Sequence, residues 1–192
     1  MIDCFIGLGA NLGDRMSTLA RAVELLARDE GFSLRGVSRA WESEPVGPPQ
    51  PRYLNAVARV GSMLSPRATM KKLLEFEEKL GRVRREKWGA REIDLDLLFY
   101  GSAVSTGPIE LPHPRLHERA FVLGPLRELQ PDLRHPSLHQ TIDELWRALS
   151  EETRRGARAL GAIRRRLDGP GLDDAEAPAA EGESATPDAP GS

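Results

Sequence analysis

Cysteine is almost missing from this chain: Cys4 is the single one among 192 residues. One thiol closes no internal disulfide and supplies no cysteine-rich zinc site, so a reducing cytoplasm is the expected compartment and Cys4 a small core residue. No run of 18 apolar residues occurs, so no membrane-spanning helix is expected. The opening MIDCFIGLGAN carries an acid, and no Lys or Arg, before its apolar run, unlike a secretory signal. The four histidines have no zinc-site spacing. G-x-x-x-x-G-K-[ST] is absent, and in GLGANLG the third glycine of a dinucleotide fingerprint would fall at position 12, where Leu12 stands. A serine nucleophile elbow is absent too. Any nucleotide must therefore be held by arginines and a metal rather than by a glycine cradle.

Positive charge is missing from one end. Residues 168–192 hold seven acids and no Lys or Arg, in a Pro-, Ala- and Gly-rich segment with almost no large apolar side chain. Such a segment cannot bury enough surface to offset its chain entropy, which predicts a disordered tail. Residues 1–167 hold all 27 basic and 22 of the 29 acidic residues, a net +5, and form the expected single domain. A mildly basic body favours an anionic ligand.

Periodicity places a strand over residues 2–8, then a loop with Asp14 as N-cap. Leu19, Ala22, Val23 and Leu26 mark a helix to about Arg28. A loosely alternating second strand covers 32–44, the Pro-rich loop PVGPPQP follows, and a third strand runs over 53–62. Ser65-Pro66 starts a helix that reaches Leu80 and stops at Gly81. After a cationic loop, residues 93–100 read as a strand; residues 111–129 read as loop, short helix, and loop or strand. A last helix from 137 or 141 to near Arg155, extending as far as Arg166, closes the body. The order β-α-β-β-α-β predicts a ferredoxin-like α+β fold, an antiparallel sheet with helices on one face and an additional C-terminal helix.

The strand IDLDLLFY carries two acids where burial is expected. Strand side chains alternate, so Asp94 and Asp96 point the same way, roughly 7 Å apart at Cα. Their face continues to Leu98 and Tyr100, so two carboxylates sit on a face that turns apolar. A solvated polar strand face is the ordinary alternative. Partly desolvated carboxylates repel by a few kcal/mol at an effective dielectric of about 20. A divalent cation removes that repulsion, and Mg²⁺ prefers such oxygens and completes its shell with water and phosphate. Arg82, Arg84, Arg85, Lys87 and Arg91 precede the pair, with Trp88, in a loop that carries Gly81 and Gly89, able to stack on a ring. Carboxylate-held metal beside arginines suits phosphoryl transfer. Glu77 falls on the apolar stripe of its helix; snorkelling to water is the simple expectation, although it lies one turn before the arginine loop.

The segments GLGANLGDR, SRAWESEPVG, YLNAV, FEEKLGRVRREKWGAREIDLDLLFYG and LPHPRLHERAFVLGPL, in that order over residues 2 to about 150, together resemble the 6-hydroxymethyl-7,8-dihydropterin pyrophosphokinase family of folate biosynthesis. The resemblance implies transfer of the terminal diphosphate of ATP to the pterin hydroxymethyl oxygen, with release of AMP. It further implies two Mg²⁺ ions on Asp94 and Asp96, with Arg82 and Arg91 as catalytic cations. ATP contacts would come from Arg84, Trp88, His113 and Arg119, joined by Glu77 and the backbone around Leu97. The pterin would lie between Tyr53 and Phe121 and be read by Asn55 and by backbone near Ser43 and Val46, with Asn11 nearby. The family's flexible loops would correspond to 44–52 and 82–91. The expected partners are the two small substrates, with no nucleic acid and no membrane, in a monomer. Ser43 and Ala90 stand where the family often has Thr and Pro. The motifs alone leave two rivals open: another D-x-D metal-dependent nucleotidyl or glycosyl transferase, and a ferredoxin-like RNA-binding module.

Overall fold

The strand expected over 53–62 is β4 (Tyr53–Ser62), and the sheet is built around it. The computed structural model describes residues 1–45, 48–82 and 90–163. β1 (Ile2–Ala10) runs antiparallel to β4 along its whole length, Ile2 opposite Ser62 and Ala10 opposite Leu54. On its other side β1 pairs antiparallel with β5 (Asp94–Tyr100). β4 is completed by β2 (Phe32–Val37) at one end and β3 (Arg39–Ser43) at the other. The lateral order β5-β1-β4-(β2, β3) is that of a ferredoxin-like sheet, with strands four, one, three, two side by side.

Alternation along β1 divides the core. Cys4, Ile6, Leu8 and Ala10 face α1 (Arg15–Arg28) and α2 (Pro66–Lys79), while Phe5 faces the opposite side with Val57 and Leu98. Both helices start as the sequence predicts. Asp14 accepts from Ser17 N–H and Ser65 from Ala68 N–H, caps worth about 1 kcal/mol each. Leu19 and Leu26 of α1 are fully buried, a gain of about 2 kcal/mol apiece.

Four expectations are corrected. First, 32–44 is two strands, not one: the Ser38 hydroxyl accepts the Val57 N–H at 3.0 Å, interrupting the ladder between β2 and β3. Second, helices cover both faces. α3 (Ala120–Leu129) packs on the Phe5 side with α4 (Ile142–Ala148). Gly124-Pro125 looks like a helix breaker, yet Ala120, Leu123, Gly124 and Leu126 are buried in α3, and that burial outweighs the lost Pro N–H. The indole of Trp41 lies where a Cβ on Gly124 would be, 2.6 Å from the ring atoms. Third, the chain does not stay helical after α5 (Glu151–Arg155). Ala157–Ala162 forms β8 against β3, because the free edge of β3 outbids the helix propensity of Ala, Arg and Leu.

Fourth, the aspartate face does not reach Tyr100. Ile6 pairs with Leu97 and Phe5 with Phe99, so Leu98 is an unpaired bulge residue. The extra residue turns Phe99 to the Phe5 side, ring against ring at 6.1 Å, and Tyr100 to the other, where its hydroxyl donates to Leu64 O at 2.6 Å. β6 (Ser105–Thr106) and β7 (Glu110–Leu111) form a separate short ribbon. Among the described residues no helix is long and apolar enough to cross a membrane. The expected tail and most of the arginine loop lie outside the described residues.

Candidate active site

Where α3 ends its cover of the sheet, the same face opens into a cavity of about 320 Å³. Its floor is set by strand pairing. Gly9 stands between Asp94 of β5 and Asn55 of β4, and Gly7 between Asp96 and Val57. These glycines, which fail the dinucleotide pattern, are strand residues whose missing side chains leave the floor open. Glycine inside a strand is the signal that marks them. A methyl at position 9 would sit 3.4 Å from Asn55 Oδ1 and 3.9 Å from the Tyr53 ring. Gly9→Ala is expected to raise the KM of any ring bound there about tenfold, with little change in melting temperature; steady-state kinetics on the variant checks it.

Asp94 and Asp96 both line the cavity, as strand alternation requires. They differ sharply in company. Asp94 is neutralised twice, Oδ1 by Arg82 at 2.9 Å and Oδ2 by Arg91 at 2.9 Å. Asp96 makes no hydrogen bond or ion pair among the described residues. Burial, and then the Asp94 charge, push its carboxyl above the usual carboxylate range. No group of three or more His, Cys, Asp and Glu is arranged to hold a metal among the described residues. Two hard carboxylates on one strand face suit Mg²⁺ completed by water and phosphate, and do not fit a closed zinc site.

Glu77 does not snorkel. It is 2 % exposed, accepts the Leu95 N–H through Oε1 at 2.7 Å and ion-pairs with Arg82. It thus ties α2 to the aspartate strand and holds Arg82 against Asp94. Burial raises its carboxyl to about 7, although the Leu95 N–H and Arg82 pull the other way. A carboxyl raised in the folded state binds more protons folded than unfolded. Its contribution to stability is complete below pH 4.5 and is lost as pH rises through about 7. Glu77→Gln, which keeps an acceptor for Leu95, is expected to flatten this slope. Melting curves between pH 5 and 8 should show the variant gaining on the parent as pH rises.

His113 is fixed through its backbone, whose N–H donates to the bulge carbonyl of Leu98 at 2.9 Å. Its Nδ1 is buried without a partner among the described residues. Arg119, its guanidinium 5.8 Å from the Phe121 ring centroid, forms no ion pair among the described residues, and burial lowers its pKa. Ser43, Tyr53, Asn55, Arg91 and Phe121 also line the cavity. Asn11 is instead a buried clamp. Its Oδ1 accepts the Arg91 N–H at 2.8 Å, while Nδ2 donates to Gln50 Oε1 and Pro51 O. Leu97 has its side chain in the core on the other face. Arg84, Trp88 and Val46 lie outside the described residues. Sequence reasoning missed Gly7, Gly9 and Gln50, which accepts from both Asn11 and the Tyr53 hydroxyl.

Across the sheet the site runs from carboxylates and cations on the β5 side, over bare glycines, to Tyr53 and Asn55 of β4 and Ser43 of β3. Residues 5–131 match the family model of 7,8-dihydro-6-hydroxymethylpterin-pyrophosphokinase. A 2-amino-4-hydroxy-6-hydroxymethyldihydropteridine pyrophosphokinase from Synechocystis is 40 % identical over 141 residues, 73 % of this chain and 72 % of the relative. One of the same name from Methylorubrum extorquens is 42 % identical over 135 residues, 69 % of this chain and 85 % of the relative. Among solved structures, a Plasmodium falciparum HPPK-DHPS triple mutant superposes with a TM-score of 0.61 at 15 % identity, covering 76 % of this chain and 44 % of that one. An HPPK-DHPS in complex with substrates gives 0.61 at 11 % identity, covering 77 % and 43 %. The chain therefore spans less than half the length of those solved chains, and the likeness to them bears on the fold. Two thirds of the chain under one family model, and curated relatives at about 40 % identity along most of their own length, lead to one conclusion: the chain belongs to the 7,8-dihydro-6-hydroxymethylpterin-pyrophosphokinase family.

Proposed function

We propose that this chain transfers the terminal diphosphate of ATP to the hydroxymethyl oxygen of 6-hydroxymethyl-7,8-dihydropterin, releasing AMP. The observation that carries the reading is the row Asp94–Gly9–Asn55 across β5, β1 and β4. It sets a carboxylate pair roughly 10 Å, two strand spacings, from an amide flanked by Tyr53, with a floor between them that no side chain fills. A flat heterocycle fits the amide and aromatic end, between Tyr53 and Phe121, and its hydroxymethyl arm then points toward the carboxylates.

In the proposed reaction the substrate oxygen bonds to the β-phosphorus of ATP and the bond from that phosphorus to the bridging α,β-oxygen breaks. AMP leaves with the electron pair, and the hydroxyl proton passes to water. The nucleophile belongs to the substrate, so the chain needs none of its own. Mg²⁺, when bound at Asp94 and Asp96, would neutralise phosphate charge there. Arg82 and Arg91, already turned toward Asp94, supply fixed cations for the migrating group, and Arg119 and His113 a cationic and hydrogen-bonding wall for the triphosphate. The Asn11 clamp holds the Arg91 backbone in register with that wall.

The cleft as described is built within one chain, and we read the working unit as a cytoplasmic monomer with residues 168–192 outside the catalytic domain. The test is AMP formation from ATP and 6-hydroxymethyl-7,8-dihydropterin, with Mg²⁺ present and then chelated. AMP in stoichiometric step with the pterin diphosphate, lost on chelation, is expected. ADP, or no nucleotide consumption, overturns the reading.

A further inference from the structure

Ala10, Leu54, Glu42 and Arg158 lie opposite one another across β1, β4, β3 and β8, so they share the face on which α1 packs, behind the cleft. The Glu42 side chain is 11 % exposed and takes an arginine from each of three other segments. Its Oε1 accepts from Arg15 of α1 at 3.4 Å. Its Oε2 accepts from Arg52, just before β4, at 3.3 Å and from Arg158 of β8 at 3.0 Å. The hydrogen bond from Arg158 is the main reason that the Glu42 carboxyl stays below the usual carboxylate range. Arg15 also donates to the Arg52 carbonyl at 2.7 Å, and Arg52 to the carboxylate of Glu44, which lines the cavity. Among the described residues that line the cavity, none is Arg15, Glu42, Arg52 or Arg158. The family match ends at residue 131, so it assigns Arg158 nothing.

We propose that Glu42 is a positioning residue that works from behind the sheet: through Arg15, Arg52 and Arg158 it clamps the base of the β3–β4 hairpin and so fixes the cleft wall at Tyr53 and Glu44. The role rests on the pterin reading above and adds what holds that wall in place. β3 and β4 pair through three residues each, Trp41 to Ser43 against Asn55 to Tyr53, and Tyr53 ends the ladder. So short a ladder opens most easily at its last pair. A single exposed ion pair would do little to stop that. Three guanidinium groups around one shielded carboxylate do more, and they depend on it. Without the charge at Glu42 they repel one another and push α1, the Arg52 segment and β8 apart. Through Arg158 the C-terminal strand thus bears on a cleft that it does not line.

The experiment measures binding of 6-hydroxymethyl-7,8-dihydropterin by calorimetry and, separately, KM and kcat. The proteins are the full chain, Glu42→Gln, Arg158→Gln, the Glu42→Gln/Arg158→Gln pair and Asp3→Asn. Glu42→Gln keeps the shape and an acceptor and removes the charge. It is expected to weaken pterin binding and raise its KM about tenfold, leaving kcat and the KM for ATP within about twofold. Arg158→Gln, at a side chain 67 % exposed, should cost about threefold. Added to Glu42→Gln it should instead restore part of the loss, because one of three uncompensated cations is gone. Asp3→Asn is the control. Asp3 holds Arg35 and Arg59 at the far end of β1, and the variant should bind the pterin as the parent does. Should Glu42→Gln fail to fold, Arg15→Gln, which also frees the Arg52 carbonyl, is expected to raise the pterin KM about fivefold. Parental pterin binding in Glu42→Gln or Arg15→Gln overturns the positioning role. So does a pair that binds no better than Glu42→Gln alone, or an equal loss in Asp3→Asn. Parent protein that binds the pterin without forming AMP refutes the activity and leaves this inference standing; parent protein that does not bind it refutes both.

Discussion

Asp96→Ala is expected to lower AMP formation by about 10³-fold or more while the melting temperature stays level or rises. The scale follows from losing a ligand to the charge that neutralises the transferring phosphates, where removal of one stabilising group already costs 10²–10³. The stability half follows from the surroundings. Asp96 takes no hydrogen bond or ion pair among the described residues, and its ionised form is opposed first by burial and then by Asp94. Removing it relieves repulsion and orphans no group among the described residues. Asp94→Ala is the contrast, since it removes one carboxylate shared by Arg82 and Arg91 and should lower both turnover and melting temperature. A turnover assay beside a melting curve on the two variants separates them. An Asp96→Ala protein that keeps a tenth of parental activity would disprove the carboxylate clamp.

The second large effect is expected at Arg82. Its guanidinium joins Glu77 to Asp94, so Arg82→Ala removes a fixed cation from the phosphate end and uncovers a buried carboxylate in one change. Arginines that stabilise a migrating phosphoryl group are worth roughly 10³–10⁵ in rate, and a loss of about 10³ in kcat is expected. Stability should fall by about 2 kcal/mol, because Glu77 keeps only the Leu95 N–H and stands beside Asp94 uncompensated. Adding Glu77→Gln should recover most of that stability, since the amide carries no charge to desolvate, and none of the rate. Recovery of rate in the double variant would show that Arg82 acts on Glu77 rather than on substrate.

Much of the fold was legible because it is local. The 3.6-residue stripe of α1, the caps Asp14 and Ser65 and the alternation of β4 are each fixed by neighbours within a few residues, and each is found within two residues of its expected end. The shared direction of Asp94 and Asp96 needs only strand geometry. The quoted motifs were enough for the family, and with the family shown, the rival transferases and the RNA-binding module have no remaining support.

The features that escaped depend on partners far along the chain. Residues 157–162 have helix-forming composition and become a strand because β3 presents an open edge more than a hundred residues earlier. The helix through Gly124-Pro125 survives because its residues are buried against the sheet, and Gly124 leaves room there for the Trp41 ring. The bulge at Leu98 is visible only against Phe5 and Ile6. Glu77 reads as a snorkelling helix residue until Leu95 and Arg82 close over it.

By itself, then, the sequence determined which segments are helix or strand over most of the first hundred residues, which face the paired acids share, and which family the chain belongs to. Only the tertiary structure decided that the glycines of β1 are a floor, that Asp94 is neutralised by two arginines while the Asp96 side chain has no partner among the described residues, and that Asn11 and Glu77 hold other groups in place. The physical reason is range. Backbone periodicity and capping act over a few residues, whereas burial, ion pairing and buried hydrogen bonds are settled by groups that meet only when the sheet closes.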